Sequence, residues 1–114
     1  MKQISHLEIP SDAVLIDIRN ELDALAAPLS SLSAYPVIRL PFGDLEDGVT
    51  LELPEGAPLV VVCGTGQRSE LAGAYLLAGG ASEVYLLSGG LRAWRRDLES
   101  KLEDFKPETV DSRA

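Results

Sequence analysis

The chain has 114 residues, 46% of them hydrophobic and 25% charged, and its 10 basic and 18 acidic side chains leave a net charge of −8. That length suits one domain rather than two full cores, and the hydrophobic fraction excludes wholesale disorder. The acidic balance argues against a nucleic-acid footprint and against a patch for anionic lipid, so neither nucleic acid nor membrane is an expected partner.

In chain order, the N-terminal Met1–Asp12 stretch lacks the apolar run of a signal peptide. No later stretch approaches the roughly 20 apolar residues of a membrane span. The expected compartment is therefore the cytoplasm, where a lone thiol stays reduced. Lys2-Gln3-Ile4 suits an edge strand, and His6, in a polar context, reads as solvated surface. Val14 to Ile18 is the first clear strand. Asn20 to Ala27 follows as a helix with Asn20 as N-cap and Pro28 as its stop. Val37 to Leu40 is a weaker strand, and Pro41 to Pro58 is a surface loop with one short helix. Leu59 to Cys63 is continuously apolar, as a strand covered on both faces must be.

A helix is predicted over Arg68 to Ala78, with Leu71, Ala72, Tyr75, Leu76 and Ala78 as its apolar stripe and Gly79-Gly80 as its stop. Val84 to Leu87 gives another strand. A last helix follows Gly89-Gly90, with Leu91, Trp94 and Leu98 facing the core and Arg92, Arg95, Arg96 and Glu99 facing water. Such an arginine cluster is ordinarily a solvated face, though this one follows a site loop and could meet an acidic partner there. Residues 1–102 form the predicted domain and residues 103–114 a polar tail that frays. Strands alternating with helices imply an α/β fold with a parallel sheet covered by helices. In such sheets ligands bind at the carboxyl ends of strands, which singles out the loops after Cys63 and after Ser88.

The first of these loops carries the chemistry. A buried strand delivers Cys63 to its end, Gly64 and Gly66 let the chain turn tightly, and a helix opens near Arg68. Successive backbone N–H groups curled around one point make an anion-binding nest, reinforced by the positive end of the helix dipole. A thiol placed there meets oriented dipoles and the Arg68 guanidinium, and both favour the nucleophilic thiolate. A cysteine ending a buried strand is more often a small packing residue. Here the two glycines, Arg68, Ser69 and an amphipathic helix within 20 residues favour a working thiol. Cys63 is the only cysteine and His6 the only histidine, so an intrachain disulfide and a closed Cys/His metal site are both excluded. Gly64-x-Gly66 is not a dinucleotide fingerprint, since Ser69 holds the third glycine position, and no Gly-Lys-Ser/Thr follows to make a P-loop.

Cys63-Gly64-Thr65-Gly66-Gln67-Arg68-Ser69 resembles the Cys-x-x-Gly-x-Arg-Ser loop of rhodanese-like sulfurtransferases. Leu15-Ile16-Asp17-Ile18-Arg19 resembles the family's early (L/I)-I-D-(V/I)-R signature, and Val84 to Trp94 its late V-x-x-L-x-G-G-x-x-A-W signature. The three motifs stand in the family's order over roughly residues 4 to 99. The resemblance implies a central parallel sheet of about five strands flanked by helices on both faces. It implies that Cys63 takes sulfane sulfur from a donor such as thiosulfate, holds it as a persulfide, and passes it to a thiol or to cyanide. Gly64, Thr65, Gly66, Gln67 and Arg68 would then cradle the terminal sulfur, with Arg68 adding charge for an anionic donor. Ser69 would help open the following helix, and Asp17 and Arg19 would support the loop. No metal and no organic cofactor is implied. The family's G-H-I-P-G-A-x-x-I-P segment reads here as Ala34 to Pro41 and keeps only Leu40-Pro41, a departure that touches that side of the cleft rather than the catalytic loop.

Two other classes share part of this pattern. A Cys-based phosphatase or arsenate reductase also holds an oxyanion with a Cys…Arg loop, but those phosphatases use Cys-x-x-x-x-x-Arg. Here four residues separate Cys63 from Arg68, a ring sized for one sulfur atom. Rhodanese-like domains also serve as regulatory binding modules, or as persulfide relays that work only when a donor or acceptor protein docks. With a single thiol the chain cannot resolve its own persulfide, so the acceptor must come from outside.

Overall fold

The computed structural model describes residues 1–48, 53–65 and 67–104. Its strands are β1 (Lys2–Ile4), β2 (Val14–Asp17), β3 (Val37–Arg39), β4 (Leu59–Val62) and β5 (Val84–Leu87). Its α-helices are α1 (Glu21–Ala26), α2 (Phe42–Glu46), α3 (Ser69–Ala78) and α4 (Gly90–Asp104), with 3-10 turns at His6–Glu8 and Leu29–Ser31. The strands form one sheet in the order β1-β5-β4-β2-β3, and every neighbouring pair is parallel. This is the α/β architecture that the alternating pattern predicts.

β4 lies at the centre, and all four of its side chains are buried. Because successive residues of a strand point to opposite faces, β4 divides its side chains between two cores. Leu59, Val61 and Cys63 pack with Phe42 and Leu45 of α2 and Ala72 and Leu76 of α3. Val60 and Val62 pack on the other face with Leu29, Leu91 and Trp94. Each aliphatic side chain withdrawn from water contributes about 1.5–3 kcal/mol. The central strands therefore hold the sheet and fix where its carboxyl ends emerge.

The ends of the strands are brought level by register. Asp17 at the end of β2 pairs with Val62 on one side and Arg39 on the other. Asn20 caps α1, its side-chain oxygen accepting the N–H of Asp23 at 2.8 Å, as its residue type suggests.

Several details differ from the sequence expectation. The inner face of α3 is Ser69, Ala72, Gly73 and Leu76, whereas Leu71 and Tyr75 from the predicted stripe are exposed, as is Ala78. The helix lies so close to β5 that a Cβ on Gly73 would run into the side chains of Met1 and Leu86, so small residues face inward. Tyr75 instead meets the edge of Phe42, with ring centroids 6.4 Å apart. On α4, Leu91 and Trp94 are buried as predicted, but Leu98 is largely exposed. That helix continues to Asp104, past residue 102 where the predicted domain gives way to the polar tail. The remainder of the expected tail, and Gly66 of the loop, lie outside the described residues. His6 is not free surface either. Its ring stacks on Trp94 at 5.6 Å, and its Nε2 lies 2.8 Å from the Asp97 carboxylate.

Candidate active site

Cys63 stands one residue beyond the carboxyl end of β4, on the face covered by α2 and α3. It is 7% exposed, so it belongs to the core and also opens on a cleft of about 400 Å³. The cleft is lined by Gly64, Thr65, Gln67 and Arg68 of the same loop, and by Phe42 and Arg19 across from it. Every described residue of the predicted loop is thus brought to one place. Ser69 is buried as the first residue of α3, directly after Arg68 at the N-cap position.

Two carbonyls of this loop are held by α4. The N–H of Leu91 donates to the Cys63 carbonyl at 2.8 Å, and that of Arg92 to the Gly64 carbonyl at 2.9 Å. First-turn N–H groups of a helix have no partner within it, so the loop supplies the acceptors that α4 needs. The chain reaches that position through Gly89 and Gly90, whose φ values of 74° and 65° lie in the left-handed region open to glycine. The two site loops are therefore one structure, with the late Gly-Gly pair fixing the early cysteine.

The N–H groups of Gly64, Thr65, Gln67 and Arg68 donate to no protein acceptor among the described residues. Exposed loop N–H groups next to a helix N-terminus favour negative charge. The Arg68 guanidinium lies over the Phe42 ring, 5.4 Å from its centroid, a cation–π contact that holds the charge at the rim of the cleft.

Arg19 forms part of the wall opposite, and the buried Asp17 holds it there. Arg19 donates from Nε to one Asp17 oxygen at 2.9 Å and from a terminal nitrogen to the other at 3.0 Å. The Arg19 backbone N–H adds a third bond to Asp17 at 3.1 Å. Arg19 also reaches the Asp23 carbonyl of α1 at 3.3 Å. The neighbouring Arg39 lies 3.5 Å from Asp17 and donates to the Arg19 carbonyl at 2.9 Å. Asp17 and Arg19 act on the backbone that shapes the cleft, and the fork geometry explains why an arginine stands there.

Sequence reading missed Phe42, which lines the cleft, and Arg39, which braces Asp17 and Arg19 behind it. Both lie in or beside the Ala34–Pro41 segment that departs from the family pattern, and only the kept Leu40-Pro41 pair pointed there. The segment nonetheless forms a regular edge strand, with the Leu40 and Phe42 N–H groups donating to the Asp17 and Ile18 carbonyls. A second cleft, of about 410 Å³, adjoins the first at Arg19, Asp23 and Gly64 and extends along α4 past Arg92, Arg95 and Arg96. Among the described residues, no group of three or more His, Cys, Asp or Glu side chains could hold a metal ion. Among them, too, no helix is long and apolar enough to cross a membrane.

Comparison with known proteins points the same way. The family model described as rhodanese-like domain matches residues 4–97. A thiosulfate sulfurtransferase GlpE of Pseudomonas fluorescens is 46% identical over 52 residues, which span 46% of this chain and 48% of that protein. The chain thus aligns with about half the length of that relative. The same-named protein of a second Pseudomonas fluorescens strain is 35% identical over 90 residues, 79% of this chain and 77% of that protein. A crystal structure of a rhodanese homologue from Thermus thermophilus superposes with a TM-score of 0.60 at 27% identity, covering 81% of this chain and 99% of that one. With the three motifs gathered at one end of a five-stranded parallel sheet and the family model spanning most of its length, this chain belongs to the rhodanese-like domain family.

Proposed function

We propose that this chain is a sulfurtransferase that carries sulfane sulfur as a persulfide on Cys63. The Cys63 thiolate attacks the outer sulfur of thiosulfate. A bond forms between Sγ and that sulfur, the sulfur–sulfur bond of the donor breaks, and its electron pair leaves with sulfite. Cyanide or a thiolate then attacks the terminal sulfur of the persulfide, and the electron pair returns to Cys63 as thiolate. The cycle is ping-pong and needs no outside oxidant or reductant.

The observation that carries this reading is the placement of Cys63 in a cleft walled by a short loop that closes on Arg68 and whose Gly64, Thr65, Gln67 and Arg68 N–H groups meet no protein acceptor among the described residues. Those donors suit the negative terminal sulfur, and Arg68 suits an anionic donor. The names of the relatives support the same donor class. A phosphatase is disfavoured by the ring, which is one residue shorter between Cys63 and Arg68 than phosphate-binding loops of that type. The proposed setting is the cytoplasm, and no metal or organic cofactor enters the cycle.

Intact-mass analysis after incubation with thiosulfate tests the reading. The chain is expected to gain one sulfur atom, to lose it on addition of cyanide with formation of thiocyanate, and to gain none as Cys63→Ser. Arg68→Ala is expected to raise KM for thiosulfate roughly tenfold, the loss of about 1.4 kcal/mol of charge-assisted binding. Thiocyanate made by Cys63→Ser would end the proposal.

A further inference from the structure

Arg92, Arg95 and Arg96 stand at i, i+3 and i+4 on the exposed face of α4, so their side chains rise from one patch. Among the described residues none of the three enters an ion pair or a side-chain hydrogen bond. Together with Arg19 they line the second cleft, which meets the Cys63 cleft at Gly64. Arg19 is already held by Asp17, so the unspent charge is that of the three α4 arginines. All described arginines (Arg19, Arg39, Arg68, Arg92, Arg95 and Arg96) stand at or just after the carboxyl ends of strands or in the first two turns of the helices there, in a chain of net charge −8.

We propose that the arginine-lined cleft of α4 docks the acidic surface of a thiol-bearing protein that removes sulfur from Cys63. The proposal rests on the persulfide reading above and names the acceptor class for that site. The chain has no second cysteine, so its persulfide leaves only through an outside nucleophile. In the transfer the partner's thiolate attacks the terminal sulfur and bonds to it, the bond from that sulfur to Cys63 breaks, and the pair returns to Cys63. No net oxidation occurs, and no further reactant is needed.

The charge distribution selects a macromolecule. A single exposed guanidinium–carboxylate contact is weak in water, so a small anion gains little there, whereas a surface with several carboxylates engages all three arginines at once. An acidic protein is repelled by most of this chain and attracted by one end. That field turns the partner towards the cleft that adjoins the Cys63 cleft before contact. The single carboxylates of Asp23 and Glu99 at the edge of the same cleft leave the arginines in the majority.

Two readouts test this. In the first, a fluorescein-labelled, cysteine-free oligoglutamate peptide is titrated into the full chain carrying Cys63→Ser, so that no chemistry intervenes. Binding is expected to weaken roughly tenfold in Arg92→Gln/Arg95→Gln/Arg96→Gln, to fall with added salt, and to be unaffected by Lys2→Gln/Lys101→Gln. Thermal melting of the triple variant confirms that it folds. In the second, thiosulfate-loaded protein is offered a cysteine peptide flanked by glutamates or by glutamines. Transfer is expected to favour the acidic peptide roughly tenfold at low salt, and the ratio to approach unity in the triple variant.

Equal rates with the two peptides, or equal loss of binding in the lysine variant, overturn the proposal. So does an equally arginine-dependent preference for mercaptosuccinate over an uncharged thiol, which would assign the cleft to a small anion. If thiosulfate loads no sulfur, the persulfide reading falls and the acceptor role with it, while the titration still upholds or overturns the acidic docking surface.

Discussion

Asp17 presents its carboxylate inside the protein, 1% exposed, with the buried Arg19 as a two-bond partner and Arg39 beside it. A buried ion pair of this kind need not be more stabilising than an apolar pair of the same volume, but removing one member strands the other charge away from water. Asp17→Ala is therefore expected to lose about 3–5 kcal/mol of unfolding free energy in a urea titration. Asp17→Asn, which keeps the shape and one acceptor, is expected to lose less. A loss under about 1 kcal/mol for the alanine variant would mean that Arg19 finds another partner and that the network does not brace the cleft. Arg19 and Asp17 were legible as loop-supporting residues from the signature they share with the family, though not as a fork, while Arg39, twenty residues beyond Arg19, was not legible at all. The contact of Arg39 exists only after β2 and β3 pair.

The element that couples the two site loops is α4, whose first N–H groups hold the carbonyls of Cys63 and Gly64. Gly89 has a φ of 74°, and a Cβ placed there would stand 2.6 Å from the Ala93 Cβ. Gly89→Ala therefore combines about 1–2 kcal/mol of left-handed strain with a clash against the helix's first turn. A matching fall in stability is expected on denaturation. Amide exchange at Leu91 and Arg92 is expected to rise as their bonds to the loop loosen; exchange unchanged from the parent chain would show that α4 does not clamp the loop. The strands were readable because a parallel sheet covered on both faces demands unbroken apolar runs such as Leu59 to Val62. The inner face of α3 was not readable by counting large apolar residues. Close approach to β5 selects Ala72 and Gly73, and it leaves Leu71 exposed. The loop motif gave the site itself, because strand, turn glycines and helix start are all local in sequence.

At the scale of the whole molecule, the chain's first turn is fastened to its last helix across a separation of 91 residues, a contact no local pattern can reveal. The His6 ring covers Trp94, whose other neighbours include Ile4 and Leu91 of the core, and Nε2 meets Asp97, which Lys101 also approaches at 3.5 Å. The hydrogen bond from His6, followed by the charge of Lys101, holds the Asp97 carboxyl below its ordinary 3.8, against the opposing effect of partial burial. A carboxyl lowered by folding adds stability that is fully present above its unfolded value, and loses it as pH falls through the lower folded value. His6→Ala removes both the stack and the largest cause of that lowering. The variant is expected to melt a few degrees below the parent chain at pH 5, with the gap narrowing as pH drops below the usual carboxylate range. The residual gap in acid then measures the stack alone. A gap that is constant from pH 5 into strong acid would assign the whole contribution to ring packing and none to the Asp97 carboxylate. A gap that widens would reverse the sign of the linkage and remove Asp97 as its source.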